Sequence, residues 1–592
     1  MLGFHGRILK VDLNEREHKV EEISNAILKR YLGGKGLASY LMLKRIPPRI
    51  DPFSPENKII FATGPATATA VPTSGKYGVY AKSPLTYTYA ESYSGGHVAP
   101  KIKATGYDAI IIEGAARTPV YLEISDSEVK FHSAEHLWGL DTYASEEAVL
   151  KDAQSREAQA IVIGPAGENL VRFACIENNR WRSAGRCGLG AVMGVKKLKA
   201  IVFHGSKQCR LADEEKLEQY TKNLIALGAR DKAIETYRKY GTPSLVAIVN
   251  TASAFPVKYW QKGYLEDYAN ISAESWREYF EVQNKACYNC FIACSKLSTV
   301  KSGKYKGITI EGPEYETIYA FAGLCEVKKL DEVAYLNDLC DRLGLDTISA
   351  GNITAFAIEA RLRGKLDIDV DYGDVEQIAE LLQMIAQRKG AGNLLADGIK
   401  MASESLGLQE LAIHVKGMEP AGYDPRILKG TGLGYALSPR GACHLRATFY
   451  KPELSGIIHP SSVHGKAKLF VEYEDKLCLQ DSLIICRFLR DLLDWKDYSL
   501  IIEALTGLKF DEHKLRALAN RIITLARNFN AREGLDAKAD VLPSRFFKEP
   551  IIKRDQTPAA ITVEELELMK KEYYELRNWG ENGIPKRSFK ML

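Results

Sequence analysis

Short apolar runs separated by turn residues dominate the first two hundred positions of the chain. The runs at 58–62, 78–81, 109–112, 120–124, 160–163 and 200–204 have strand length and end at glycine, proline or Ser-Asp turns. The stretches 106–114 (Gly-Tyr-Asp-Ala-Ile-Ile-Ile-Glu-Gly) and 198–205 (Leu-Lys-Ala-Ile-Val-Phe-His-Gly) echo each other, as an internal duplication of sheets would leave them. Past Gly205 the texture changes. Apolar residues recur at helical spacing between charged ones, as at 214–227 and 331–343, and glycine becomes sparse. This character runs to the end of the chain, interrupted by a Gly/Pro-rich stretch at 416–441. The pattern predicts an α+β multidomain protein, with a β-rich N-terminal domain at 1–207 and two mainly α-helical domains at 208–416 and 417–592. The Lys/Arg/Glu-rich tail after Lys548 reads as solvated surface.

Length agrees with several domains: the chain has 592 residues, and a domain takes roughly 150. With 46% hydrophobic and 26% charged residues it has the composition of a folded enzyme. A net charge of +5 over this length gives no case for nucleic acid or an anionic membrane as partner. No apolar run nears the ~20 residues of a membrane span, and the first residues lack the apolar core of a signal peptide. The expected compartment is the cytoplasm. Eleven cysteines there point to metal or redox chemistry rather than disulfides.

Three of those cysteines form Cys287-Tyr288-Asn289-Cys290-Phe291-Ile292-Ala293-Cys294. The C-x-x-C-x-x-x-C spacing lets three thiols converge on one inorganic centre. A 4Fe–4S cube needs a fourth thiolate, often from a distant segment. Zinc is the competing tenant, because Cys-x-x-Cys is also its half-site; no second Cys-x-x-Cys or paired His lies nearby. Three merely buried cysteines are the plain alternative. Composition leaves Cys175, Cys187, Cys209, Cys325, Cys340, Cys443, Cys478 and Cys486 open as the fourth ligand. Cys486 has Arg487 beside it, and a cation favours a thiolate.

Seven motifs appear in order along the chain: Ser94-Gly95-Gly96, Arg182-Ser183-Ala184-Gly185-Arg186, the cysteine cluster, Gly312-Pro313-Glu314-Tyr315-Glu316-Thr317, Gly344-Leu345-Asp346-Thr347-Ile348-Ser349, Ser438-Pro439-Arg440-Gly441-Ala442-Cys443-His444, and Asp481 to Cys486. Together they resemble the aldehyde:ferredoxin oxidoreductase family of tungsten enzymes over nearly the whole chain. The resemblance implies two packed sheets as a base, two helical domains above it, and a tungsten bis-pterin cofactor between them with a 4Fe–4S cluster beside it. It makes Cys287, Cys290, Cys294 and Cys486 the cluster ligands, with Ile484 where the family usually has glycine. Pterin contacts fall on Gly95, Arg182, Ser183, Gly185, Asp341, Leu345, Asp346, Asp481 and Arg487, with Arg446 as an addition. Glycine lets backbone approach a flat heterocycle, arginine suits phosphate, and carboxylates suit amino and ring N–H donors.

Two further positions depart from the family. Lys76 stands where an arginine commonly bridges pterin and cluster, which keeps the charge but loses the planar fork. Tyr93 stands where asparagine is common; a magnesium ion held through its backbone carbonyl is the further cofactor this position implies. Glu316 and His444 fall on the family's acid–base pair, and a carboxyl with an imidazole can move the protons that aldehyde oxidation requires. Glu314 is a rival expected to point elsewhere. His97, His136, His414, His459 and His513 read as structural or surface residues, and His464 as another of these or a lining of the substrate entrance. The glycines at 185, 188 and 190 are spaced G-x-x-G-x-G, which is not the dinucleotide fingerprint.

The function expected is oxidation of an aldehyde to the acid, with electrons leaving through the cluster to ferredoxin or a partner iron–sulfur subunit. One alternative is the catalytic subunit of an aryl-CoA or carboxylic-acid reductase complex; another is a non-catalytic iron–sulfur electron-transfer subunit. A homodimer is the candidate assembly. No ligand set for a subunit-bridging iron is placed around 331–335.

Overall fold

The computed structural model describes residues 1–586. Twelve strands build two sheets. The first holds β1 (Arg7–Asp12), β2 (Glu17–Glu22), β3 (Ile59–Ala62), β4 (Tyr77–Lys82), β5 (Tyr89–Ser94) and β6 (Ala109–Glu113). The second holds β7 (Val120–Ile124), β8 (Val129–Ser133), β9 (Gln159–Val162), β10 (Ile176–Asn178), β11 (Arg182–Ala184) and β12 (Leu198–Phe203). Their orders are β2-β1-β6-β3-β4-β5 and, read in the same sense, β8-β7-β12-β9-β10-β11. Adding six to each strand of the first sheet gives the second. In both, the last strand enters parallel to the first and antiparallel to the third. The echoing stretches at 106–114 and 198–205 contain these two last strands, so the duplication the sequence hinted at is present in the topology. A second echo, Gly-Pro-Ala at 64–66 and 164–166, follows the equivalent strands β3 and β9.

Alternation decides the layering, because successive strand residues face opposite sides. Ile59, Phe61, Val79 and Ile110 of the first sheet join Leu122, Ile161, Ile201 and Phe203 of the second in one continuous core. The outer face of the first sheet (Ile8, Ile60, Ile111) packs with Leu37 and Leu41 of the helix Gly34–Arg45 and with Phe529 of the helix Glu512–Arg532. The outer face of the second (Tyr121, Ala160, Val202) packs with Val149 of the helix Thr142–Asp152. Burying each large aliphatic side chain contributes about 1.5–3 kcal/mol, so neither sheet has a solvated face to spare.

Beyond residue 213 the chain is mainly helical, with three departures from the predicted pattern; the tail after Lys548 is not all solvated surface, since its helix Val563–Leu576 buries Leu566, Met569 and Tyr573. The strands β13 (Phe280–Lys285), β14 (Ser295–Val300) and β15 (Thr309–Glu311) form an antiparallel sheet inside the helical region. The cysteine cluster is the connection between β13 and β14. The Gly/Pro-rich stretch at 416–441 also contains a fully buried helix, Lys429–Leu437. Its glycines are there for close approach: a Cβ at Gly430 would lie 2.3 Å from the Phe449 ring. Among the described residues no helix is long and apolar enough to cross a membrane.

Candidate active site

The edge strands β5 and β11 pack against each other, so the equivalent edges of the two sheets meet. Tyr93 and Ser94 end one edge, and Arg182 and Ser183 lie on the other. Two helix C-termini descend on this junction, those of Leu330–Leu343 and Lys466–Leu483. Each is received by one Gly-Pro turn. A Cβ on Gly164 would meet the Leu343 carbonyl oxygen at 2.4 Å, and one on Gly64 the Leu483 carbonyl oxygen at 2.2 Å. No other residue type fits there.

A cavity of about 370 Å³ opens over the junction. Its walls include Gly95, Arg182, Ser183, Gly185, Asp341, Leu345 and Asp346, together with Lys76, Glu316, Cys287, Cys294 and Cys486. Gly95 leaves no room for a side chain: a Cβ would stand 2.9 Å from the Cys287 sulfur. Arg182 donates to that sulfur at 3.0 Å and is ion-paired with Glu311. Cys290 does not reach the cavity wall, but it and Cys294 both lie within electrostatic range of Cys287 and Cys486. The cluster loop is anchored to the first sheet's loops. The Asn289 amide donates to the carbonyls of Thr69, Ala70 and Val71 at 3.2 Å each, and Cys486 N–H donates to the Thr73 carbonyl at 3.2 Å. Burial pushes the Cys486 thiol up, but Lys76 and Arg487 more than offset this and leave it below the usual thiol range. Among the described residues, no three His, Cys, Asp or Glu side chains close on a single metal ion.

A second cavity of about 410 Å³ shares Lys76, Ser183, Gly185, Glu316 and Cys486 with the first and adds Tyr93, His444 and Arg487. Glu316 Oε1 and His444 Nε2 are 3.4 Å apart. The Gly422 N–H donates to Glu316 Oε2 at 2.9 Å, while Oε1 has no hydrogen-bond partner. Burial raises the Glu316 carboxyl to about 8, against that one hydrogen bond. Burial, reinforced by Arg186, Arg440, Arg487 and Arg446, holds His444 well below its ordinary value, so the imidazole is neutral. Tyr423 stacks on Tyr450 at 4.0 Å, and both flank the His444 ring, at 5.7 and 6.2 Å.

Asp481 and Arg446 stand behind the wall. Asp481 pairs with Arg487 and, at 3.2 Å, with Arg446. Arg446 also pairs with the fully buried Glu91 and keeps Nε and Nη2 without a partner. The Tyr93 ring lies under both guanidinium groups, 5.6 Å from Arg446 and 5.7 Å from Arg487, and its hydroxyl donates to Glu91 at 2.8 Å. Glu314 does not point away as expected. It lines both cavities, and the Thr242 hydroxyl donates to it. His464 is exposed in a turn and lines neither.

Three residues carry roles that the sequence reading did not assign. Glu177 is 1% exposed, accepts from Ser183 at 2.7 Å and has an unpartnered Oε1; burial raises it to about 8. Arg186 crosses the site, donating to Asp346 at 2.9 Å and to the Glu419 carbonyl at 2.9 Å. Cys443, one of the open candidates for fourth ligand, is held by Arg440 at 2.9 Å and the Leu445 N–H at 3.3 Å; burial raises its thiol, but Arg440 and Arg446 bring it down to about 6. Arg186 and Cys443 stand in motifs named above, which gave them no such roles; nothing in the spacing marks Glu177.

Known proteins resemble this chain from end to end. The N-terminal domain of aldehyde ferredoxin oxidoreductase matches residues 8–205, and its domains 2 and 3 match residues 219–590. The chain belongs to the aldehyde ferredoxin oxidoreductase family. The tungsten-containing aldehyde ferredoxin oxidoreductases of Pyrococcus furiosus and Thermococcus kodakarensis are each 38% identical to it over 606 residues, covering 100% of this chain and 99% of the relative. The WOR-like subunit of an aliphatic sulfonate oxidoreductase from Pyrococcus furiosus is 30% identical over 640 residues, covering 99% of this chain and 96% of that one. Among solved structures, the active-site complex BamBC of benzoyl-coenzyme A reductase with 1,5-dienoyl-CoA superposes with a TM-score of 0.84 at 25% identity, covering 99% of this chain and 96% of that one. The α+β class, with two packed sheets under a helical region, is thus the fold of this family.

Proposed function

We propose that this family member oxidises an aldehyde to the carboxylic acid and passes the electrons singly to ferredoxin or an iron–sulfur partner. The observation that carries the reading is the shared wall. The Glu316–His444 pair faces one cavity, the thiols of Cys287, Cys294 and Cys486 line the other, and Lys76 and Cys486 line both. The balance is R–CHO + H₂O → R–COOH + 2 e⁻ + 2 H⁺. A tungsten bis-pterin cofactor supplies the acceptor for the electron pair, and a 4Fe–4S cluster the one-electron outlet.

The residues present fit both groups. Four thiols each serving a separate iron suit a cube, whereas zinc would draw them to about 2.3 Å from one ion. The orphaned donors of Arg446 and the bare backbone at Gly95, where no Cβ fits, suit phosphate and a flat ring. Gly185, Ser183, Leu345, Asp341 and Asp346 line the same cavity, and Asp481 orders Arg487 behind it. Magnesium through the Tyr93 carbonyl remains part of the proposal.

Glu316, once ionised, takes a proton from the attacking water; a base near 8 is matched to that task. Neutral His444 orients the carbonyl oxygen by hydrogen bonding. The tyrosine stack and the buried wall exclude bulk water, which strengthens both interactions. The test is metal and pterin analysis of anaerobically purified protein beside an aldehyde panel. Tungsten, iron and aldehyde-dependent acceptor reduction together support the reading, and iron without tungsten, molybdenum or pterin would leave only electron transfer. The likeness to BamBC favours one second reading, a reducing catalytic subunit of a larger complex, which co-purifying iron–sulfur or flavin subunits would reveal.

A further inference from the structure

The helix Glu512–Arg532, which covers the outer face of the first sheet, also borders a third cavity of about 360 Å³. It shares no residue with the two cavities of the active site. Its walls come from the end of the helix Asn25–Tyr31, the middle of Glu512–Arg532, and the turn after Val563–Leu576. That turn is braced: the Gly580 N–H donates to the Ile584 carbonyl at 2.8 Å, and Arg527 Nε to the Gly583 carbonyl at 2.7 Å. Four cations line the cavity, Arg30, Arg521, Arg577 and Lys586, and among the described residues no acidic one does. Arg577 is 2% exposed and paired with Glu474 and Asp475 at 2.6 Å each, yet its Nε is buried without a partner. Among the described residues no carboxylate pairs with Arg30, Arg521 or Lys586. Arg521 instead donates to the Arg30 carbonyl at 3.2 Å, and burial, followed by the like charge of Arg30, pushes it below its ordinary value.

Like charges gathered in a recess beside an orphaned buried donor are costly unless an anion answers them. Neutral donors complete the set. Asn520 Oδ1 accepts from Arg577 at 3.3 Å, which leaves its NH₂ to donate, and Thr524 Oγ1 accepts from the Trp579 indole at 3.4 Å, which leaves its O–H to donate. Guanidinium forks match the oxygens of a phosphoryl group, and a dianion answers two cations at once. We propose that this cavity is a binding site for a phosphoryl dianion, either inorganic phosphate or a small phosphate monoester, held between Arg30, Arg521 and Arg577 Nε with Lys586 at the rim. The ligand would bridge a helix of the N-terminal region and the last helices of the chain, so it ties together segments nearly five hundred residues apart in sequence. The site is separate from the reaction chemistry and takes no part in it.

The experiment is calorimetric titration of the anaerobically purified full chain at fixed ionic strength with inorganic phosphate, glycerol 3-phosphate and succinate. Wild type should bind one phosphate or one monoester per chain, and the tighter of the two names the source. Succinate, a dianion of the wrong shape, should bind at least about tenfold more weakly. Arg521→Gln and Arg30→Gln should each weaken phosphoryl binding about tenfold or more, as loss of a charge-assisted hydrogen bond does. Arg521→Lys, which keeps the charge but loses the fork, should fall between wild type and Arg521→Gln. Arg30 is exposed, so Arg30→Gln remains informative where Arg521→Gln does not fold. Binding is read without turnover, and its outcome is therefore independent of the oxidoreductase reading. Absence of phosphate and monoester binding in wild type, equal affinity in wild type and Arg30→Gln, or succinate binding as tightly as phosphate would each overturn the assignment.

Discussion

Two helix ends frame the active site with the same backbone and different chemistry. The helix Leu330–Leu343 ends in Asp341-Arg342-Leu343-Gly344-Leu345-Asp346, and the helix Lys466–Leu483 ends in Asp481-Ser482-Leu483-Ile484-Ile485-Cys486. Both close with a left-handed residue, Gly344 at φ 75°, ψ 48° and Ile484 at φ 63°, ψ 48°. The next residue closes the same bond in each, Leu345 to the Cys340 carbonyl and Ile485 to the Gln480 carbonyl, both at 2.9 Å. Each last residue then docks on its own sheet, Asp346 on the Phe173 carbonyl and Cys486 on the Thr73 carbonyl, both at 3.2 Å. The duplicated base therefore offers two equivalent seats. What differs is what sits in them. One end carries a buried carboxyl whose partner is the Asn337 amide at 2.8 Å, and burial followed by Glu177 raises it well above the usual range. The other carries a carboxylate paired with two arginines and ends in a thiol. Symmetry supplies the frame, and the side chains divide it into a hydrogen-bonding half and, on the proposed function, an electron-exit half.

The largest expected effect strikes the thiol that distinguishes the second end. Cys486→Ala should abolish or degrade the cluster signal in spin resonance, whereas Cys478→Ala, on the preceding helix and buried away from the cavity, should leave it intact. Equal signals from wild type and Cys486→Ala would remove it from the ligand set. Next come the two aspartates. Asp481→Asn breaks a buried ion pair and should cost about 3–5 kcal/mol in denaturant unfolding. Asp341→Asn replaces a carboxyl whose charge is disfavoured by burial with its near isostere and should cost below about 1 kcal/mol. Similar losses at both sites would refute the contrast.

The caps predict smaller changes. Gly344→Ala places a Cβ 3.1 Å from the Gly164 nitrogen on a left-handed backbone and should cost about 1–2 kcal/mol. Ile484 is strained in that conformation yet 1% exposed, packing on Gly34 and Gly64. Ile484→Gly relieves about 1–2 kcal/mol of strain, so its thermal penalty should be smaller than the roughly 2–5 kcal/mol of an ordinary large-to-small core change. The smallest effect is at Lys76. Lys76→Ala removes a cation facing the thiols, which should lower the cluster's reduction potential by about a few tens of millivolts in a redox titration. Lys76→Arg should leave it near wild type, and an unchanged or raised potential in Lys76→Ala would take this residue out of the site.

Much of this frame is legible in the sequence, for physical reasons that also explain the gaps. The strands β6 and β12 stand out because central strands are apolar on both faces and end at glycines. β13 does not, since its polar alternation on an exposed sheet stops at the cysteine loop. The helix Lys429–Leu437 hides because its four-residue window Lys-Gly-Thr-Gly reads as loop, although the glycines serve packing. Ile484 reads as a departure from the family pattern, and only its backbone angles show what the departure costs. The paired roles of Glu316 and His444 came from resemblance to the family.

The central claim is tested most directly by the pH dependence of aldehyde-driven acceptor reduction, measured on wild type and Glu316→Gln at equal tungsten and iron content. Glu316 acts only when ionised, and burial raises it to about 8, so wild-type turnover should rise as pH increases through about 8. Glu316→Gln should lose about 10²-fold or more and show no rise in that range. A variant that keeps the wild-type profile and rate would contradict the account.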